Sequence, residues 1–275
     1  MTTPPVKSPR PVQPRTWSVL GTAAASGLAA ALATSPYQAM AAALSPALPG
    51  FQMASEGGES GEGAVQTEDH EVAFLVRLGY FAATHIIVST LYAGGDVDLA
   101  IEHLEQSHHA EYDDIEGDLA AYNATGFEPL AVAFAKAVRV KADPADVAAK
   151  AQAVLAAIAA VHVSGVVSAK DEMKALALIA ATAAEDFEAG ASQGRVEVGQ
   201  EYRDAWGFLN AALTVATALA ASSDADTATA GTSAQKVLVE ALAQFPALVS
   251  NTAGTDPSVI HSAAAWIDFA VVRMK

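Results

Sequence analysis

The chain predicts an all-α protein, one or two bundles of about seven to eight antiparallel helices. Three observations carry that expectation. Of its 275 residues 52% are hydrophobic and 17% charged, enough apolar material for a sizeable core. Alanine dominates the apolar set, which favours helices lying close together. From Thr67 onward apolar residues recur every three to four positions, and no segment alternates strongly enough to build a sheet.

Residues 1–43 read as a secretory signal: a Pro-rich basic start, an apolar run from Trp17 to Leu32, then Ala39-Met40-Ala41 as a small-x-small cleavage site. An uncleaved anchor is the alternative use of the same run. Residues 44–66 form a linker whose Gly/Glu tract, Ser55 to Gly63, cannot bury apolar area. Thr67 is a candidate N-cap for a helix ending at Gly94-Gly95, and Asp96 caps the next. If that second helix continues through Ser107, then Glu105, His109, Tyr112 and Asp113 share a face. Asn123 to Gly126 is a stop, Glu128 to Val140 a helix with Pro129 in its first turn, and Asp143-Pro144 opens another that Ser164-Gly165 weakens. The residues so far make a first unit, 67–167. A second unit, 168–275, opens with an αα-hairpin: Met173, Leu176, Ile179, Ala183 and Phe187 form one stripe, Gly190 to Gly199 the break, and Tyr202, Trp206, Leu209 and Leu213 the returning stripe. Ser222 to Ser233 reads as a surface loop, Lys236 to Phe245 as a helix stopped by Pro246, and Asp256-Pro257 as the start of a last helix with Trp266 and Phe269 as core anchors. After the N-terminal run, no stretch of about 20 continuous strongly apolar residues suggests a membrane span in the mature chain.

Chemistry concentrates between Leu75 and Asp114, which holds four of the seven histidines. His85 follows Phe74, Leu78 and Phe81 on the side that should face a core. A turn would bring the helix of His103 back against it, so that one inward histidine from each could meet. The candidate metal ligands are therefore His85 and His103, with His108, His109, Glu105 and Glu111 in support. Imidazole with carboxylate suits iron, copper or zinc, and the donor set alone does not choose among them. There is no HExxH, and Glu105 with His108 is the one Glu-x-x-His pair. A second candidate site lies at the hairpin turn, where Glu185 and Glu188 on the incoming helix face Glu201 and Asp204 on the outgoing one. His162 reads as a core histidine and His261 as a partly exposed polar position.

The chain has no cysteine, which excludes disulfides, thiolate ligands and cysteine nucleophiles. Its net charge of −16, with no acid in the first 41 residues, argues against nucleic acid and anionic membranes as partners. No GxSxG, phosphate loop or other catalytic constellation stands out, so no enzymatic activity is expected.

The segment Thr182-Ala183-Ala184-Glu185-Asp186-Phe187-Glu188-Ala189-Gly190, with Gln193-Gly194-Arg195-Val196 and Glu201-Tyr202-Arg203-Asp204-Ala205-Trp206-Gly207-Phe208, resembles a helical hairpin in the extracytoplasmic part of bacterial high-affinity iron permeases. It covers about 25 residues. The stretch from His85 to Tyr112 also loosely resembles secreted bacterial helical proteins in which histidines precede a Glu and a Tyr, although Gln106-Ser107 stands where His-Pro would. What these resemblances imply is a soluble accessory, secreted or periplasmic, lacking the permease's membrane domain. The resulting expectation is an extracytoplasmic carrier of iron, copper or zinc, with a membrane transporter as its partner. The alternatives are a helical scaffold with an acidic surface and a carrier of an apolar small molecule.

Overall fold

The computed structural model of the chain describes residues 67–163 and 167–274. The expected signal, the whole of the expected linker and the break at Ser164-Gly165 lie outside the described residues. Among those described, nine helices and one two-stranded hairpin make an all-α fold.

Helix α1 (His70–Gly94) is the core element, buried on most of its circumference from Val72 to Tyr92. Asp69, rather than Thr67, is its N-cap, its carboxylate accepting from the Val72 N–H. Thr67 sits two residues before it and accepts from the Asp69 N–H. Gly95, at φ +92°, closes the helix in the left-handed conformation that an L side chain resists. Helix α2 (Val97–Gln106) follows, then α3 (Asp113–Ala121), α4 (Glu128–Arg139) and α5 (Pro144–Val163). The expected continuation of α2 through Ser107 does not occur. Ser107 is the extended C-cap, its hydroxyl 3.0 Å from that of Thr84 and accepting from the His109 N–H. A serine so satisfied competes with the helical ladder, and the break adds one helix to the eight that the sequence pattern delimits.

Helix α6 (Ala169–Gly190) opens on the N-cap Ser168 and turns through β1 (Ala191–Ser192) and β2 (Arg195–Val196) into α7 (Gly199–Ala220). The strands pair Ala191 with Val196 and Ser192 with Arg195 across Gln193 and Gly194, both at positive φ, the turn that suits a two-residue hairpin. Helix α8 (Ala225–Leu242) occupies much of the stretch expected as a loop. Asp224 accepts from the Thr227 N–H at 2.8 Å, and Thr229, Thr232 and Ser233 return their hydroxyls to carbonyls four residues back. Hydroxyls that bond within the helix let a polar run be helical. The last helix is α9 (Ser258–Arg273), buried through Ile260, Ala263, Ile267 and Val271. Trp266 and Phe269, expected as its core anchors, instead stand edge to face on the surface at 5.9 Å.

Helix α1 packs on α2, α5, α6 and α7, while α8 and α9 cover α6 and α7, so α1 joins the helices before residue 167 to those after it. His162, at the end of α5, lies 2.8 Å from a buried carboxylate oxygen of Glu172 on α6. By length and composition α1 and residues 144–162 of α5 could cross a membrane, which no segment after the N-terminal run was expected to do; most of α1 is buried in the core instead.

Candidate functional site

Helix α2 brings its last turn, and the loop after it, against the first turns of α7. His103 is fully buried there, its Nε2 3.4 Å from Oδ1 of Asp204, and neither ring nitrogen makes a hydrogen bond. The Asp204 Oδ2 accepts from the Gln200 side-chain amide at 3.3 Å. Gln200 Oε1 and Arg203 Nε are likewise buried without a hydrogen bond. Such groups cost on the order of 1–3 kcal/mol each when left unmade. Burial, reinforced by the nearby Arg203 and His109 charges, pushes the His103 pKa down to about 3. His103 is therefore neutral at neutral pH, the form in which imidazole binds metals.

His109 is the second histidine of this region. Ser107 fixes its backbone, and its ring lies 4.8 Å from that of Tyr80 and 5.5 Å from that of Phe208, one turn beyond Asp204 on α7. Burial first, then His108, lowers its pKa to about 4, against the pull of Asp114. Tyr80 is pushed up to about 12, chiefly by burial, with Asp186 and Glu185 adding; its hydroxyl is 2.7 Å from that of Thr182. On the outer side of His109 opens a pocket of about 410 Å³, lined by Arg77, Tyr80, Phe81, His108, His109, Glu111, Asp114 and Ile115. Arg77 is ion-paired with Asp118.

The expected ligands thus fall into several separate places. His103 of the first site and Asp204 of the second come together. His108, His109 and Glu111 line the adjoining pocket. His85 is elsewhere: its Nδ1 lies 2.8 Å from the Phe81 carbonyl and its ring packs on Phe81 and Phe134, an apolar setting that lowers its pKa to about 4. Glu105 turns to Arg139 on α4, 3.8 Å away, and Glu188 to His261 on α9, 3.2 Å away. Glu185 is exposed on α6, and Glu201 is half-buried on the first turn of α7. Among the described residues no three His, Asp or Glu side chains are grouped so as to enclose a metal ion. Gln200, Arg203, Tyr80 and Arg77 join the site without having been singled out as its members. The nearest signal was their spacing, since Gln200 and Arg203 flank Glu201 and Asp204 on one helix.

No protein-family model matches the chain, nor does any curated protein or solved structure. The likeness of residues 182–208 to the permease hairpin rests on those residues alone.

Proposed function

We propose that the chain is a non-enzymatic carrier that binds a transition metal ion, iron, copper or zinc, between α2 and α7, and that it works outside the cytoplasm. The observation that carries this reading is the buried His103–Asp204 contact. Two donors each about 2.1 Å from one ion at a tetrahedral angle stand about 3.4 Å apart, the separation found between Nε2 and Oδ1. A hydrogen bond would draw them closer and align them, and neither ring nitrogen has one. His109, in the loop just after α2 and on the wall of the adjoining pocket, is the proposed third nitrogen donor on reorienting, and water completes the shell. The neighbouring pocket, with His108, Glu111 and Asp114 on its wall, is the route by which a hydrated cation reaches the pair. The −16 charge concentrates cations at the surface, and the N-terminal apolar run supports export.

The test is metal analysis of tag-free protein dialysed against each ion with millimolar magnesium present. The expected result is about one equivalent of one transition metal, lost in His103→Ala and in Asp204→Ala and retained in His85→Gln. No stoichiometric metal in the unaltered chain, or equal binding in all three variants, overturns the proposal.

A further inference from the structure

Helix α7 begins without a side-chain cap: Val198, its N-cap residue, offers nothing that can accept from the first turn. The N–H groups of Glu197 and Val198 both go to the Gly190 carbonyl, at 2.8 and 3.1 Å. Those of Gly199 and Gln200, the first two residues of the helix, find no acceptor among the described residues. Unmet N–H groups and the helix dipole make such an end receptive to negative charge. By themselves they are the ordinary state of a helix start, which water satisfies.

Arg203 sets this end apart. A long side chain one turn into a helix runs back towards the N-terminus, and here Nη1 lies 3.0 Å, and Cζ 3.9 Å, from where a Cβ on Gly199 would stand. The missing side chain at Gly199 is what lets the guanidinium lie over the first turn. Arg203 is 9% exposed, its Nε is buried without a hydrogen bond, and it has no ion pair among the described residues. Burial lowers its pKa, against the pull of Asp204 and Glu102, yet a guanidinium keeps its proton. An unpaired cation taken out of water is costly, and an anionic ligand would relieve it. Gly199 and Gln200 are only half-buried, which leaves access from solvent.

We propose that the head of α7, Arg203 with the Gly199 and Gln200 N–H groups, binds a small oxyanion of the carboxylate or phosphate type. The guanidinium supplies charge and donors, and the two N–H groups supply direction. The site draws on neither His103 nor Asp204, so it stands whether or not a metal binds between them. The net charge of −16 opposes anions at long range, so the affinity comes from these donors and not from the field of the whole molecule.

The test is isothermal titration of the full chain, freed of metal on a chelating resin, with sodium phosphate, sodium bicarbonate and sodium acetate in turn, in Tris chloride at fixed ionic strength. The expected result is saturable binding of at least one of them at about one equivalent; preference for phosphate or for the other two assigns the chemistry. Arg203→Gln should weaken it about tenfold or more, the loss of one charge-assisted hydrogen bond. Arg273→Gln, which removes a charge from the exposed end of α9, should leave it unchanged. Gly199→Ala keeps every charge but sets a Cβ against the guanidinium, and should also weaken binding. If no oxyanion binds, the proposal is overturned. An equal loss in Arg203→Gln and Arg273→Gln overturns it too, since it would mean general attraction to surface cations. Where Arg203→Gln loses helicity by circular dichroism, Gly199→Ala decides: weakened binding supports the site, and full affinity overturns it.

Discussion

At the scale of single residues, the protein holds three histidines whose pKa values lie well below the ordinary range, and each answers to a different surrounding. His85 is the simplest, because its ring meets Phe81, Phe134 and a carbonyl and no charged group contributes to its shift. Its folded-state pKa, about 4, lies below the ordinary 6.5, so the unfolded chain takes up the proton first. Stability is then full above about pH 6.5 and falls as the pH drops towards 4, by roughly 1.4 kcal/mol per unit and about 3 kcal/mol in all. Urea unfolding at intervals from pH 7 to 4.5 should show the slope diminished by close to one proton in His85→Gln, which keeps a hydrogen-bonding side chain but does not titrate. Equal slopes in the two proteins would remove His85 as their source. The sequence foresaw this burial, since His85 keeps helical spacing with Phe74, Leu78 and Phe81. It could not show that Phe134, from α4, would close over the ring and leave His103 to meet Asp204 rather than His85. Those partners are about a hundred residues apart in sequence, and local periodicity says nothing of which helix faces which.

At the scale of elements, the approach of α7 to α1 depends on the absence of a side chain at Gly207. A Cβ there would lie 2.7 Å from Ile87 Cγ1 and 3.3 Å from the Ala83 carbonyl oxygen, one turn along from Asp204. Gly207→Ala is therefore expected to destabilise by about 1–3 kcal/mol despite the better helix propensity of alanine. Ile87→Val, which removes Cδ1, should recover part of the loss, so a double-mutant cycle in urea should give a favourable coupling above about 0.5 kcal/mol. Additive effects would mean that the two helices do not meet at this point. Helices with strong apolar periodicity and punctuated ends, such as α1, α4, α5 and α9, were legible within a few residues of their observed bounds. The opening of α8 was not, because its Thr and Ser side chains look like those of a loop until their hydroxyls are seen to bond back along the helix. Ser107 erred in the opposite direction: its neighbours carry helical spacing, and the tertiary bond to Thr84 overrides it.

At the scale of the whole molecule, the all-α class was legible because composition and periodicity bear on every helix at once, whereas which face of a terminal helix stays bare depends on what packs against it. Phe74, Phe81, Ile87 and Leu91 of α1, with Leu176, Ile179, Phe208 and Leu209 from the helices around it, are all 2% exposed or less, so the fold has a core that owes nothing to a metal ion. A metal held between His103 and Asp204 adds a ligand that binds the folded state alone, and the two effects are separable. Saturation at a hundred times Kd should stabilise by about 2.7 kcal/mol, a rise of about 5–10 °C in Tm for a domain of this size. Chelation should then return Tm to its starting value with helicity at 25 °C unchanged. His103→Ala should abolish the rise while keeping the cooperative transition, and magnesium alone should not reproduce it, since a hard cation gains little from imidazole. Loss of helicity on chelation would show that the apolar core is insufficient. An unchanged Tm in the unaltered chain at saturating metal would instead remove the site and leave the fold as described.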